Sequence, residues 1–241
     1  MKALILAAGL GTRLHPITQH TPKALAKIND LTLLEILINR LKKFGIEEVI
    51  INIHHFADQV VDFVEKKRQF GIDIRFSDER ELLLDTGGGI KNAEWFLNDG
   101  ESFLVHNVDI ISSIDLSDFA DYHQKSGSLV SLAVRERDTS RYFLFDDDDV
   151  LCGWKNTATG KQIITREVAA IHPFAFSGIH IISAEIFKLI DRTGKFSIVD
   201  EYLRLSPEYK ISAYKHTNSK WMDLGKVENL EQAAQIIDQI K

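Results

Sequence analysis

The residues best placed to do chemistry are Gly9, Gly11 and Arg13, with Lys23 further along the same stretch. Gly9-Leu10-Gly11-Thr12-Arg13 directly follows the apolar run Ala3-Leu4-Ile5-Leu6-Ala7, which reads as a short buried parallel strand. Glycines at the end of such a strand let backbone N–H groups approach a phosphate, and the C-terminal edge of a parallel sheet is where such ligands bind. A dinucleotide fingerprint needs glycine at position 14, where this chain has Leu14. A P-loop needs Gly-Lys-Ser/Thr after four intervening residues, which is also missing. Pro16 makes an uninterrupted helix here unfavourable. Arg13, just after the glycines, and Lys23, just after Pro22, add two positive charges. An Arg and a Lys beside backbone amides stabilise the charge that develops when a polyphosphate loses its terminal part. The competing reading is a tight turn with two exposed basic side chains.

A second glycine cluster, Asp85-Thr86-Gly87-Gly88-Gly89-Ile90, is expected to open a helix. Three glycines cost backbone entropy, so something is expected to approach the chain closely there. His54 and His55 are adjacent, and the two-residue period of a strand end sends them to opposite faces, so no zinc site is expected. Asp146 to Asp149 is a run of four acids whose mutual repulsion suggests a hairpin tip in solvent.

Around these residues the first half alternates strand and helix patterns. Thr32 opens a helix through Lys43, with Glu35 completing a capping box and Gly45 as the stop. A strand over Glu48–Ile53, a helix from about Ala57 to Gln69 and a strand around Ile72 to Phe76 follow. A helix near Ile90 to Leu97 then leads to the strand Phe103-Leu104-Val105. This order implies a parallel sheet with helices on both faces. The second half is richer in β patterns, with strands over 129–134, 179–182 and 211–214 and a last helix from about Val227 to Ile240.

The bulk numbers agree with one folded α/β unit. The chain has 241 residues, 44% hydrophobic and 27% charged, which excludes disorder. A net charge of −6 without a cluster of Lys and Arg argues against nucleic-acid binding. Cys152 is the single cysteine, so no internal disulfide forms, and no apolar run approaches the roughly 20 residues that span a bilayer. A reducing cytoplasm is the expected compartment, and no membrane partner is expected. A monomer or a homodimer is expected.

The stretch LILAAGLGTRLHPITQHTPKAL resembles the signature of the sugar-phosphate nucleotidyltransferases, the NDP-sugar pyrophosphorylase superfamily. Shorter blocks extend the resemblance to near residue 231. It implies a Rossmann-like three-layer α/β/α fold with a mixed central sheet and a small β-rich sugar-binding lobe. A single domain over 1–241 is expected, its nucleotide part about 1–110 and its sugar part about 111–241. The resemblance implies Leu6, Ala8, Gly9, Gly11, Thr12, Arg13, Lys23, Asp85, Gly87, Gly88 and Asn107 at the nucleotide, with Arg13 and Lys23 catalytic. It implies Asp109 and Asp223 as Mg²⁺ ligands that also face the sugar phosphate, together with Lys155 and Gly178. Two departures stand out. Val108 precedes Asp109 where relatives carry a small residue, and Lys155 lacks the Glu and Pro that usually flank it.

An NTP and a sugar 1-phosphate are the implied partners, and Mg²⁺ the implied cofactor. The blocks LGTRLHPITQHTPKAL, DTGGGI, FSGI and WMDLG resemble those of the superfamily's uridylyltransferases, and that resemblance implies UTP with N-acetylmuramic acid 1-phosphate, as in nucleotide-sugar synthesis for cell-wall recycling. GTP with mannose or heptose 1-phosphate is the alternative, and a non-catalytic nucleotide-binding regulatory protein is the alternative of another class.

Overall fold

The structure, a computed structural model, describes residues 1–225 and 227–237. Strands are β1 (Ala3–Leu6), β2 (Lys27–Ile28), β3 (Leu31–Thr32), β4 (Glu48–Ile53), β5 (Asp73–Asp78), β6 (Phe103–Asn107), β7 (Ile110–Ser112), β8 (Val130–Arg135), β9 (Arg141–Phe145), β10 (Leu151–Asn156), β11 (Lys161–Ile164), β12 (His172–Ile182), β13 (Ile211–Lys215) and β14 (Trp221–Asp223). Helices are α1 (Leu33–Lys43), α2 (Ala57–Lys66), α3 (Asp85–Asn92), α4 (Glu94–Leu97), α5 (Leu116–Ser126), α6 (Ile186–Leu189), α7 (Ile198–Leu205) and α8 (Val227–Ile236). Residues 238–240 of the expected last helix lie outside the described residues.

Four parallel strands in the order β5-β4-β1-β6 form one half of a ten-stranded sheet. The long strand β12 joins them antiparallel to β6 and makes the sheet mixed. Its last residues pair with β6 and β8, while His172–Phe174 pair with β9, so a single strand carries both the main sheet and the β9-β10-β11 arm. Side chains alternate between two cores. Ala3, Ile5, Val49, Ile51 and Leu104 face the layer containing α1, α2, α5 and α8. Leu4, Ile50, Phe103 and Val105 face α3, α4, α6 and α7. A strand buried on both faces has no polar side to show, which is why these segments read as continuous apolar runs. The three-layer mixed fold expected from the resemblance is the fold observed. Among the described residues no helix is long and apolar enough to cross a membrane.

Local signals held best where a few neighbours decide the conformation. Thr32 Oγ1 accepts the Glu35 N–H at 3.1 Å, and Gly45, at φ 70°, ends α1. Only half of the capping box forms, because the Glu35 carboxylate takes Lys67 Nζ at 2.7 Å instead. The four-acid run is a hairpin tip between β9 and β10, but not a fully solvated one. Asp146 is buried, accepts the amides of Asp148 and Val150 and pairs with Arg166, so its charge is matched rather than repelled into water. Strands β9, β10 and β11 themselves had no clear pattern, since their arm is half-exposed and its alternation is broken by a register shift between Leu151 and Gly153.

Four histidines are buried, and burial pushes each imidazole down from 6.5: His106, His123 and His216 to about 4, and His180 to about 3. His180 Nδ1 takes the hydroxyl of the fully buried Tyr202 at 2.6 Å, and His106 Nδ1 is 2.8 Å from Asn107 O. Between about pH 6.5 and pH 4 the unfolded chain binds protons that the folded chain refuses. Stability is therefore complete above about pH 6.5 and drains away as the pH falls, by up to about 1.4 kcal/mol per pH unit for each histidine. The expected result is a melting temperature lower by about 5 °C or more at pH 5 than at pH 7. A flat profile over that range would mean that the imidazoles are solvated.

Candidate active site

The glycine loop leaves β1 at the C-terminal edge of the parallel strands, as its sequence position implies. Two of its first amides are already spent. Ala7 N and Ala8 N both donate to Asn52 Oδ1, at 2.6 and 3.1 Å, and Asn52 sits near the end of β4. Beyond them, the amides of Gly9, Leu10, Gly11, Thr12 and Arg13 meet no acceptor among the described residues. Gly11 holds φ 64°, and a Cβ there would lie 3.0 Å from Thr18 Cγ2 and 3.1 Å from Lys23 Cβ, so only glycine fits. Thr18 Oγ1 donates to Gly11 O at 2.7 Å and fixes the turn. The result is a set of free N–H groups on a pinned loop, which is what an anion cradle requires.

Two carboxylates converge beside it. Asp109 follows β6, and β14 pairs antiparallel with β7 so that Asp223 stands opposite Ile110. Leu224 N donates to Asp109 O at 2.8 Å and locks the two segments together. Lys23 Nζ is bonded to Asp109 Oδ2, and both side chains are mostly buried. Gly225 N donates to Asp223 Oδ1 at 2.7 Å. Asp109 Oδ1 and Asp223 Oδ2 are thus left without a hydrogen-bond donor among the described residues. Val108 itself is buried, and its N–H bonds Leu6 O at 3.1 Å. Arg13 is exposed, and its guanidinium lies over Gly225, where a Cβ would come within 2.7 Å of Nη2 and 2.8 Å of Asp223 Oδ1.

Leu6, Ala8, Gly9, Lys23, Asp85, Asn107 and Asp109 line one cavity of about 360 Å³. Gly11, Thr12, Arg13 and Asp223 lie outside its lining. Residues not foreseen complete it: Asn52, Glu79, Leu83, Thr86 and Lys195, with Ala7 and Val108. Asn52 had a legible signal, a polar residue inside the apolar run Val49–Ile53, whereas Lys195 had none. Glu79 is buried, takes Asn52 Nδ2 at 2.8 Å and Leu84 N at 3.0 Å, and burial pushes its carboxyl above the usual value. Asn52 thereby couples the glycine loop to the segment before α3.

The second glycine run opens a helix, as its sequence implies, but that helix begins earlier than the Ile90 boundary. The run lies inside α3, which starts at Asp85. Gly87 and Gly88 are buried and absent from the cavity lining. The close approach expected there is made by the protein itself. Gly87 N and Gly88 N both donate to Phe196 O, a Cβ on Gly87 would enter the Phe196 ring, and one on Gly88 would strike Gly194 O. In an ordinary helix Gly→Ala gains about 1 kcal/mol. Here overpacking against backbone opposes that gain by about 1–3 kcal/mol. Gly88→Ala is therefore expected to lower the urea midpoint. A raised midpoint would show that the run is merely a weak helix start.

On the other side, Gly178 has φ 75°, and its missing side chain makes room for Asn107, whose Nδ2 would be 2.9 Å from a Cβ. Trp221 Nε1 donates to Ser177 O at 2.9 Å, tying β14 to β12. Lys155 is not part of the cavity lining; its Nζ lies 5.3 Å above the Tyr142 ring in the β9-β10 arm. His54 Nδ1 is 2.7 Å from Glu79 O and the His55 ring packs against Phe56, so the histidine pair is structural. Among the described residues no group of three or more His, Cys, Asp or Glu side chains converges on a point.

An α/β/α sheet with a pinned, amide-rich loop, paired cations and two acids at its C-terminal edge is the frame of a nucleotide-using transferase. The chain belongs to the nucleotidyl transferase family, whose sequence model matches residues 2–240. It is 31% identical to the N-acetylmuramate alpha-1-phosphate uridylyltransferase of Caulobacter vibrioides, over 92% of this chain and 91% of that one. It is 32% identical to the D-glycero-alpha-D-manno-heptose 1-phosphate guanylyltransferase of Campylobacter jejuni, over 85% of each chain. Among solved structures, HddC from Yersinia pseudotuberculosis complexed with GMP-PN superposes with a TM-score of 0.77 at 26% identity, over 98% of this chain and 99% of that one.

Proposed function

We propose that this protein transfers a nucleoside monophosphate from an NTP to a sugar 1-phosphate and releases pyrophosphate, with UTP as donor and N-acetylmuramic acid 1-phosphate as acceptor. The observation that carries the transfer is the convergence of the free Gly9–Arg13 amides, the Lys23–Asp109 pair and Asp223 at one sheet edge. The choice of substrates rests on likeness to the Caulobacter vibrioides uridylyltransferase along nearly the whole of both chains.

An oxygen of the acceptor phosphate attacks the α-phosphorus in line; that P–O bond forms as the bond to the β-phosphate oxygen breaks. The acceptor is already anionic at neutral pH, so no side chain need remove a proton. The loop amides and Arg13 hold the departing pyrophosphate, while Lys23 holds the α-phosphate. Asp109 and Asp223 would hold Mg²⁺, since each keeps one carboxylate oxygen that takes no hydrogen bond among the described residues and oxygen donors suit this hard cation. Bound there, it would neutralise phosphate charge and align the reacting oxygens.

The test is pyrophosphate release across UTP, dTTP, CTP, GTP and ATP, each with N-acetylmuramic acid, glucose, mannose and heptose 1-phosphates, with and without EDTA. UTP with N-acetylmuramic acid 1-phosphate is expected to give the highest kcat/KM. The likeness to the heptose guanylyltransferase supplies the competing outcome. A tenfold preference for GTP with heptose or mannose 1-phosphate would replace the uridylyl reading. Release that persists in excess EDTA would remove the metal.

A further inference from the structure

Arg137 stands in the connection between β8 and β9, and no sequence motif singled it out. Its guanidinium lies 4.7 Å over the Trp221 ring, and Trp221 is itself fixed through its indole N–H to Ser177 O. One terminal nitrogen, Nη2, donates to Phe176 O at 3.1 Å. Nε is buried with no partner, and Nη1 meets no acceptor among the described residues. A guanidinium carries five N–H donors, so this one is partly desolvated, flat, immobilised and short of acceptors. Trp221 lies two residues before Asp223 on β14, so both side chains leave the same face of that strand and the Asp223 charge acts on Arg137; Arg135, stacked on the same Trp221 at 5.7 Å, adds a second positive charge. Leaving such a cation undersupplied costs stability that a ligand anion would restore. Lys155, by comparison, lies over Tyr142 in the arm and has no such link to Asp223.

We propose that Arg137 is the acceptor-side anion receptor: it binds the phosphate of the incoming sugar 1-phosphate and holds it beside Asp223. This rests on the transferase reading above. The Trp221 stack and the Phe176 carbonyl pre-set the guanidinium plane, so little side-chain freedom is lost when the phosphate arrives. Arg13 serves the leaving pyrophosphate from the glycine loop, so the two arginines divide the anions between them, one per substrate.

The experiment is steady-state kinetics on the full chain with the best sugar 1-phosphate of the wild type, starting from N-acetylmuramic acid 1-phosphate, varied against the NTP. Arg137→Ala is expected to raise the acceptor KM about 30-fold or more, an ordinary loss for a charged hydrogen bond, and to leave the NTP KM within about twofold. Arg137→Lys, which keeps the charge but loses the planar fork, should fall between; it also serves if the alanine variant fails to fold. Inorganic phosphate should compete with the acceptor in the wild type, more weakly in Arg137→Lys, and lose that effect in Arg137→Ala. An unchanged acceptor KM in a folded variant, or KM values that rise equally for both substrates, would overturn the assignment and leave Arg137 as a brace for Trp221. A wild type that transfers to no sugar 1-phosphate overturns the transferase reading and this proposal with it; that result precedes any substitution, so the two failures are distinguishable.

Discussion

Asp109→Asn and Asp223→Asn are each expected to lower kcat by about 10³-fold or more at ordinary Mg²⁺ concentration, since each removes a charge a hard cation needs and several kcal/mol of charge stabilisation with it. The two should differ in stability. Asp223 uses one oxygen to accept Gly225 N–H, and an asparagine oxygen can do the same, so its melting temperature should stay near wild type. Asp109 is the partner of Lys23 in a mostly buried pair, and the amide would leave that ammonium without a counter-charge. Breaking such a pair is costly, so Asp109→Asn should also melt several degrees lower. Thermal melts beside initial rates separate the effects. Full activity in either variant would remove that residue from the site, and loss of both activity and fold in Asp223→Asn would make it a structural cap.

Arg13→Ala should lower kcat/KM by about 10³-fold, the scale seen when an arginine that stabilises phosphoryl-transfer charge is removed. The side chain is exposed and on a loop, so the melting temperature should not move. The structure adds a second way to ask. Gly225→Ala places a methyl within 2.7 Å of Arg13 Nη2 and 2.8 Å of Asp223 Oδ1, which displaces the guanidinium and the carboxylate without removing either. If Arg13 acts through its position, Gly225→Ala reproduces a large part of the loss. Wild-type rates in both variants would reduce Arg13 to a surface residue.

What was legible before folding follows from how far each signal reaches. The glycine loop, the Thr32 cap, the β-branched strand 48–53 and the apolar stripe of α1 depend on neighbours a few residues away, and each appears where the pattern placed it. The alternation of strand and helix patterns implied helices on both faces, and the two cores are there. The glycine run opens a helix as expected, but the pattern placed its regular part from near Ile90, because three glycines are poor helix formers and the contacts that compensate come from Phe196 and Gly194, far along the chain. Of the arm β9-β10-β11 only the acidic hairpin tip is legible, because the strands are held through β12 rather than by a strong pattern of their own.

The sequence by itself determined the chemistry on offer: an amide-rich loop, Arg13, Lys23, Asp109 and Asp223, at ends of elements that must form a layered α/β sheet. Only the tertiary structure decided which of them meet. Asp223 reaches Asp109 because β14 pairs with β7; Arg13 settles on Gly225; Asn52 takes the Ala7 and Ala8 amides and so leaves the cradle to begin at Gly9. It also parted Lys155 from the cavity and set Arg137 against Trp221, in the strand that carries Asp223. The physical reason is the same in each case. Residue type and local spacing set what a side chain can bond and which face it takes, but the partner is chosen by strand register and close packing between segments distant in sequence, and these exist only once the sheet has closed.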